Sequence, residues 1–167
     1  LINESFMELI GPDATKVFWK KYLKNYITEA DIHYLKSTGM NSIRVPFNYR
    51  LFTTEDYMGG EGEARGFALL DKVIGWCKKE SLYVLLDMHC APGGQTGDNI
   101  DDSYAYPFLY ESKESRQLTI DIWRKIASRY KNETAVMGYD LLNEPIPHFA
   151  DTAKFNPMLE PLYKEIT

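Results

Sequence analysis

An α/β fold built on a parallel sheet is predicted by three observations. Strand-like runs alternate with helix-like ones, the strand runs are apolar nearly throughout, and the long irregular stretches follow strands, not helices. The order reads helix, strand, helix, strand, helix, strand, helix. No fixed-length repeat, low-complexity tract or linker divides residues 1–167.

Pro12-Asp13 opens the first helix, which runs to about Tyr26 with Phe18, Tyr22 and Tyr26 on one face. Thr28-Glu29-Ala30-Asp31 is a capping-box start for a second, which turns Ile32 and Leu35 inward and ends at Gly39. A strand follows from about Asn41 to Pro46, then a loop-like segment from Asn48 to Arg65. Phe67, Leu70, Val73, Ile74 and Cys77 recur at helical spacing across Gly66 to Glu80. Tyr83 to His89 is the next strand. Cys90 to Tyr110, rich in Gly, Asp and Pro, reads as irregular. Leu118, Ile122, Ile126 and Tyr130 mark a helix from about Ser112 to Tyr130. The third strand spans about Val136 to Leu142, and a loop from Pro145 to Pro157 leads to a helix beginning at Met158.

The 167 residues suit one ordinary domain, with 44% hydrophobic and 26% charged residues. A net charge of -5 argues against a nucleic-acid partner, which selects a basic face. No apolar run is long enough to cross a bilayer, so no membrane partner is expected from that source. Cys77 and Cys90 are too few for a disulfide framework and lack metal-ligand spacing; both read as free thiols, Cys77 on a buried helix face. Aromatic residues make up 14% of the chain, which composition alone reads as core filling over sugar stacking.

Three strand ends carry polar residues. In parallel α/β architectures, active sites gather at the carboxyl ends of strands, and Arg44, His89, Asn143 and Glu144 are all expected there. Glu144 suits a proton donor to a departing sugar oxygen where partial burial favours its protonated form. Read alone, it is a carboxylate capping a turn; the pairing with Asn143 and the strand context shift the balance to chemistry. Asn143 has the donor and acceptor that a sugar hydroxyl needs. His89 shares a strand face with Asp87 and reads as a core histidine or a hydroxyl contact. Arg44, between Ile43 and Val45, must meet an anion: a structural partner such as Asp87, a catalytic carboxylate, or both. His33 and His148 show no ligand spacing with His89, so no metal is expected. Gly93 to Gly97 is no phosphate loop, and Asp98, Asp101 and Asp102 lack calcium-loop spacing; this stretch reads as solvated.

Together, Asn41-Ser42-Ile43-Arg44-Val45-Pro46-Phe47, Leu86-Asp87-Met88-His89-Cys90-Ala91-Pro92-Gly93 and Tyr139-Asp140-Leu141-Leu142-Asn143-Glu144-Pro145 resemble glycoside hydrolase family 5, the cellulase-type barrels. The middle motif, with Gln95 and Gly97, is most similar to the exo-β-glucanase branch. The resemblance implies a partial (β/α)8 TIM barrel, strands two to four with flanking helices. Residues 1–167 would then be an incomplete catalytic domain, the first strand and strands five to eight absent, since a barrel takes roughly 250 residues.

It also implies a retaining β-glycosidase with Glu144 as general acid/base, Arg44 supporting the nucleophile, and His89 and Asn143 binding sugar. The nucleophile, a second Glu near strand seven, would fall outside these residues; Glu160 and Glu165 come too soon after strand four. The expected partner is a β-glucan or related polysaccharide, with no cofactor, and the resemblance admits a secreted or periplasmic location. A non-catalytic carbohydrate-binding relative and a transglycosylase are the alternatives.

Overall fold

A computed structural model describes residues 2–145 and 152–166. Its elements run α1 (Ile2–Ile10), α2 (Pro12–Asn25), α3 (Glu29–Ser37), β1 (Ser42–Asn48), a 3-10 turn (Tyr49–Phe52), α4 (Ala64–Lys79), β2 (Tyr83–Cys90), a second 3-10 turn (Phe108–Tyr110), α5 (Lys113–Tyr130), β3 (Val136–Asp140) and α6 (Thr152–Ile166). The strands form one sheet in the order β1-β2-β3. β2 and β3 are parallel, with Leu85 opposite Gly138 and Asp87 opposite Asp140. β1 and β3 are therefore the outer strands of the described sheet.

Two compact units divide the chain. The first holds Leu1–Ser42 and Arg50–Tyr83. Its buried hydrophobic side chains are Trp19, Ile32, Phe52, Leu70, Ile74, Cys77 and Leu82. The capping box forms as expected, Thr28 N donating to Asp31 Oδ2 at 2.7 Å. The face carrying Phe18, Tyr22 and Tyr26 also forms, as two successive ring stacks with centroids 6.1 and 4.6 Å apart. α1 is an addition to the sequence reading. It has no buried residue, but Asn3 Oδ1 accepts from the Trp19 indole at 2.8 Å and Phe6 packs edge-on against Phe18.

The second unit holds Ile43–Tyr49 and Val84–Thr167. Side chains alternate across β2. Val84, Leu86 and Met88 are fully buried on one face, with Trp123, Ile122 and Ile126 of α5 also in this unit's core. Trp123 sits edge-on to both Phe47 and Tyr139, centroids 5.6 Å apart in each case, and its indole donates to Leu141 O at 3.0 Å. That bond ties α5 to the chain leaving β3.

Three element boundaries differ from expectation. β1 continues through Pro46 to Asn48, because a proline is tolerated in an outer strand where its missing N–H breaks no ladder. β3 ends at Asp140, before Leu142. α6 begins at Thr152 and runs through Pro157 and Pro161, so the start expected at Met158 is six residues late. Residues 146–151, with His148 and part of the expected loop, lie outside the described residues.

Candidate active site

Every polar group of the candidate site belongs to the second unit. Leu85, Asp87 and His89 share the face of β2 opposite Val84, Leu86 and Met88. Asp87 is fully buried, and its Oδ2 accepts from His89 Nδ1 at 2.8 Å and faces Arg44 Nη2 at 3.1 Å. Its Oδ1 is buried with no hydrogen-bond partner among the described residues. Burial raises the Asp87 carboxyl above the ordinary range; the His89 bond and the Arg44 charge pull it back down, and Asp140 adds to the rise. While Asp87 is ionised it can only accept, so His89 carries its proton on Nδ1. The Nε2 atom is then the one left for another partner.

The in-register pairing of β2 and β3 sets Asp140 beside Asp87. Arg44 answers both carboxylates from β1. Its Nε and Nη2 donate to Asp140 Oδ2 at 3.0 and 2.8 Å, and Nη2 also donates to Asn143 Oδ1 at 2.8 Å. One guanidinium thus links all three strands' chains. The ion-pair reading of Arg44 holds, with Asp140 as a second acid that the sequence reading does not single out. The bond to Asn143 fixes that amide's orientation: Oδ1 is engaged as acceptor, leaving the Nδ2 donors.

Arg44 itself sits early in β1, not at its carboxyl end, because the strand extends to Asn48. Its length, not its backbone position, brings its charge to Asn143. His89 lies at the end of β2, while Asn143 and Glu144 follow β3 in a short turn. Asn143 is buried, its N–H donating to Met88 O at 3.2 Å. Glu144 is exposed and takes φ 42°, in the left-handed region that a non-glycine residue enters only at a cost. The partial burial expected of Glu144 is therefore not found: the buried run Leu142-Asn143 ends where the backbone turns left-handed.

The stretch after β2 also departs from expectation. Gln95 and Asp101 are fully buried and Thr96 nearly so, unlike a solvated loop, whereas Asp98 and Asp102 are exposed as such a loop's would be. Asp101 Oδ2 accepts from the backbone N–H groups of Gln95 and Thr96, and Oδ1 from Ser103 N at 3.0 Å. Gln95 Nε2 donates to His89 O at 2.8 Å and Asn143 O at 3.0 Å, and Oε1 accepts from Ala91 N at 3.0 Å. Glycine and aspartate are here because the chain turns tightly and its N–H groups need acceptors. No cluster of three or more metal-ligating side chains occurs among the described residues.

The family model for cellulase (glycosyl hydrolase family 5) matches residues 5–167. The chain belongs to glycosyl hydrolase family 5. A beta-xylosidase of Phanerodontia chrysosporium is 38% identical over 86% of this chain and 30% of its own length. Endoglucanase C of Acetivibrio thermocellus is 33% identical over 90% of this chain and 42% of its own. Glucan 1,3-beta-glucosidase I/II of Saccharomyces cerevisiae is 32% identical over 95% of this chain and 36% of its own. This family 5 chain thus spans well under half the length of these relatives.

Among solved structures, a rutinosidase from Aspergillus niger superposes with TM-score 0.69 at 16% identity, over 85% of this chain and 44% of that one. An endogalactoceramidase gives TM-score 0.68 at 18% identity, over 84% and 39%. These likenesses establish the fold: a parallel three-stranded sheet with its helices, matching part of a (β/α)8 barrel.

Proposed function

We propose that the full-length protein carrying this chain is a retaining β-glycosidase acting on a β-glucan or related polysaccharide. Glu144 is its general acid/base. The observation that carries this reading is the Arg44 guanidinium held between Asp87, Asp140 and Asn143, with Asn143 followed in the chain by an exposed carboxylate, Glu144, in a left-handed backbone conformation. Constrained conformations of this kind gather at functional sites. The names of the family 5 relatives, an endoglucanase, a glucan glucosidase and a xylosidase, support β-linked sugars as the substrate class.

In this mechanism Glu144 protonates the glycosidic oxygen as the bond to the anomeric carbon breaks, while a second carboxylate attacks that carbon. Glu144, now ionised, removes a proton from water as water displaces the enzyme carboxylate. Neither step calls for a metal or an organic cofactor. Asn143 Nδ2 and His89 Nε2 are the atoms proposed to bind sugar hydroxyls, each set by a bond to its other heteroatom. The Arg44 charge favours the ionised form of Asp87, which preserves the His89 setting, and its own bond to Asn143 Oδ1 sets that amide.

Glu144→Gln in the full-length protein tests this. Turnover of an aryl β-glycoside with a poor leaving group should fall about 10²- to 10⁴-fold, the usual worth of a positioned general acid. Azide should restore turnover of a dinitrophenyl glycoside and yield the β-glycosyl azide, because azide attacks without a general base. Activity within a few-fold of wild type on the poor leaving group would reject the assignment.

A further inference from the structure

We infer that Gln95 is a positioning residue for Glu144, acting by clamping the peptide group between Asn143 and Glu144; this rests on the acid/base role proposed for Glu144. The carbonyl of that peptide is Asn143 O, and Gln95 Nε2 donates to it at 3.0 Å. The same nitrogen donates to His89 O at 2.8 Å. One amide thus joins the main chain at the ends of β2 and β3, at the two residues that carry the proposed sugar-binding side chains.

The clamp matters because Glu144 is the next residue in the chain. Orienting the Asn143 carbonyl orients the whole planar peptide, and so restricts the torsion by which Glu144 leaves that plane. Glu144 takes φ 42°, a conformation glutamate does not choose unaided. Something must hold it, and among the described residues the Gln95 bond is the contact on that peptide's carbonyl.

Gln95 is itself immobilised from every side. Its side chain is fully buried. Oε1 accepts from Ala91 N at 3.0 Å, its backbone N–H donates to Asp101 Oδ2, and its backbone carbonyl accepts from Tyr110 OH at 2.8 Å. Both side-chain donors and the acceptor are therefore committed to main-chain groups, and the residue offers none of them to substrate.

The test separates positioning from mere stability. A dinitrophenyl group departs without a proton, whereas a phenyl group needs one from the general acid. Gln95→Glu keeps an acceptor for Ala91 N and removes the donors to His89 O and Asn143 O. In the full-length protein it should lower kcat/KM on the phenyl β-glycoside by about 10- to 100-fold, and by no more than about threefold on the dinitrophenyl glycoside, as expected for a misplaced acid. Equal losses on both substrates would overturn the proposal.

If Gln95→Glu does not accumulate as folded protein, Tyr110→Phe removes the hydroxyl that anchors the Gln95 carbonyl. It should give the same selective loss at smaller size, and an equal loss on the two substrates again overturns the proposal. Glu144→Gln is run alongside. Selectivity in Glu144→Gln without selectivity in the Gln95 or Tyr110 variants defeats the clamp alone. Absence of selectivity in Glu144→Gln defeats the acid/base reading beneath it.

Discussion

The chain leaving β2 and the chain leaving β3 end their strands in opposite ways. From Cys90 to Tyr110 the chain folds a small polar core, in which Gln95 and Asp101 are sealed from solvent and bonded largely to backbone. After β3, the turn Leu142-Asn143-Glu144-Pro145 buries two residues and then exposes a carboxylate at φ 42°. The first region bonds the polar groups of its buried residues internally, while Asp98 and Asp102 stay at the surface. The second keeps a strained, solvent-facing acid. Rigidity and reactivity are thus assigned to different strand ends, joined by the amide of Gln95.

The largest stability effect should come from breaking the rigid side. A Cβ added at Gly94 would lie 2.2 Å from Ser103 Cβ and 2.9 Å from its Cα, and Gly94 already takes φ +77°. Gly94→Ala should cost roughly 1–3 kcal/mol, as overpacking does, seen as a lower midpoint in chemical denaturation. A neutral result would mean that this loop can yield, and the contrast between the two strand ends would fail.

A smaller effect of opposite sign is expected across the sheet. Glu144→Gly relieves the left-handed conformation, worth roughly 1–2 kcal/mol for a non-glycine residue, against roughly 0.5–1 kcal/mol of added chain entropy in the unfolded state. The net should be a small gain in stability together with loss of glycoside turnover. Destabilisation would show that φ 42° is not a source of strain here.

The smallest effect is one of slope. The Asp87 carboxyl titrates above its usual 3.8 when folded. The folded protein then holds that proton more tightly than the unfolded chain does. This contribution favours folding below 3.8 and fades as pH rises through the raised folded value. Melting temperature followed against pH should therefore fall less steeply above pH 3.8 in Asp87→Asn than in wild type. An unchanged difference between the two curves would reject the role of burial at Asp87.

Much of this architecture is legible in the sequence, and the gaps have physical causes. Helical and strand periodicities report burial directly, so α2 through α5 and all three strands can be read from them. Pro46 and Pro157 mislead because proline signals a break, yet an outer strand continues through the first and α6 through the second as well as Pro161. α1 buries nothing among the described residues, yet Ile2, Phe6, Leu9 and Ile10 recur in it at helical spacing, a pattern that could have marked it. Arg44, His89 and Asn143 read as one group, and the structure connects them through Asp87 and Arg44. Asp140 stands inside the third motif without being singled out, although its place in register with Asp87 follows from two parallel strands. The buried loop misleads because glycine and aspartate mark turns whether a turn faces water or folds on itself.

Both native thiols are quiet. Burial pushes Cys77 up to about 11 and, helped by Asp102, Asp101 and Asp87, Cys90 up to about 12. At neutral pH neither offers appreciable thiolate, the form that reacts with maleimides. Tyr104 is 79% exposed on the rigid loop. Tyr104→Cys would accept a fluorophore selectively, giving an optical reporter on that loop without removing either native cysteine.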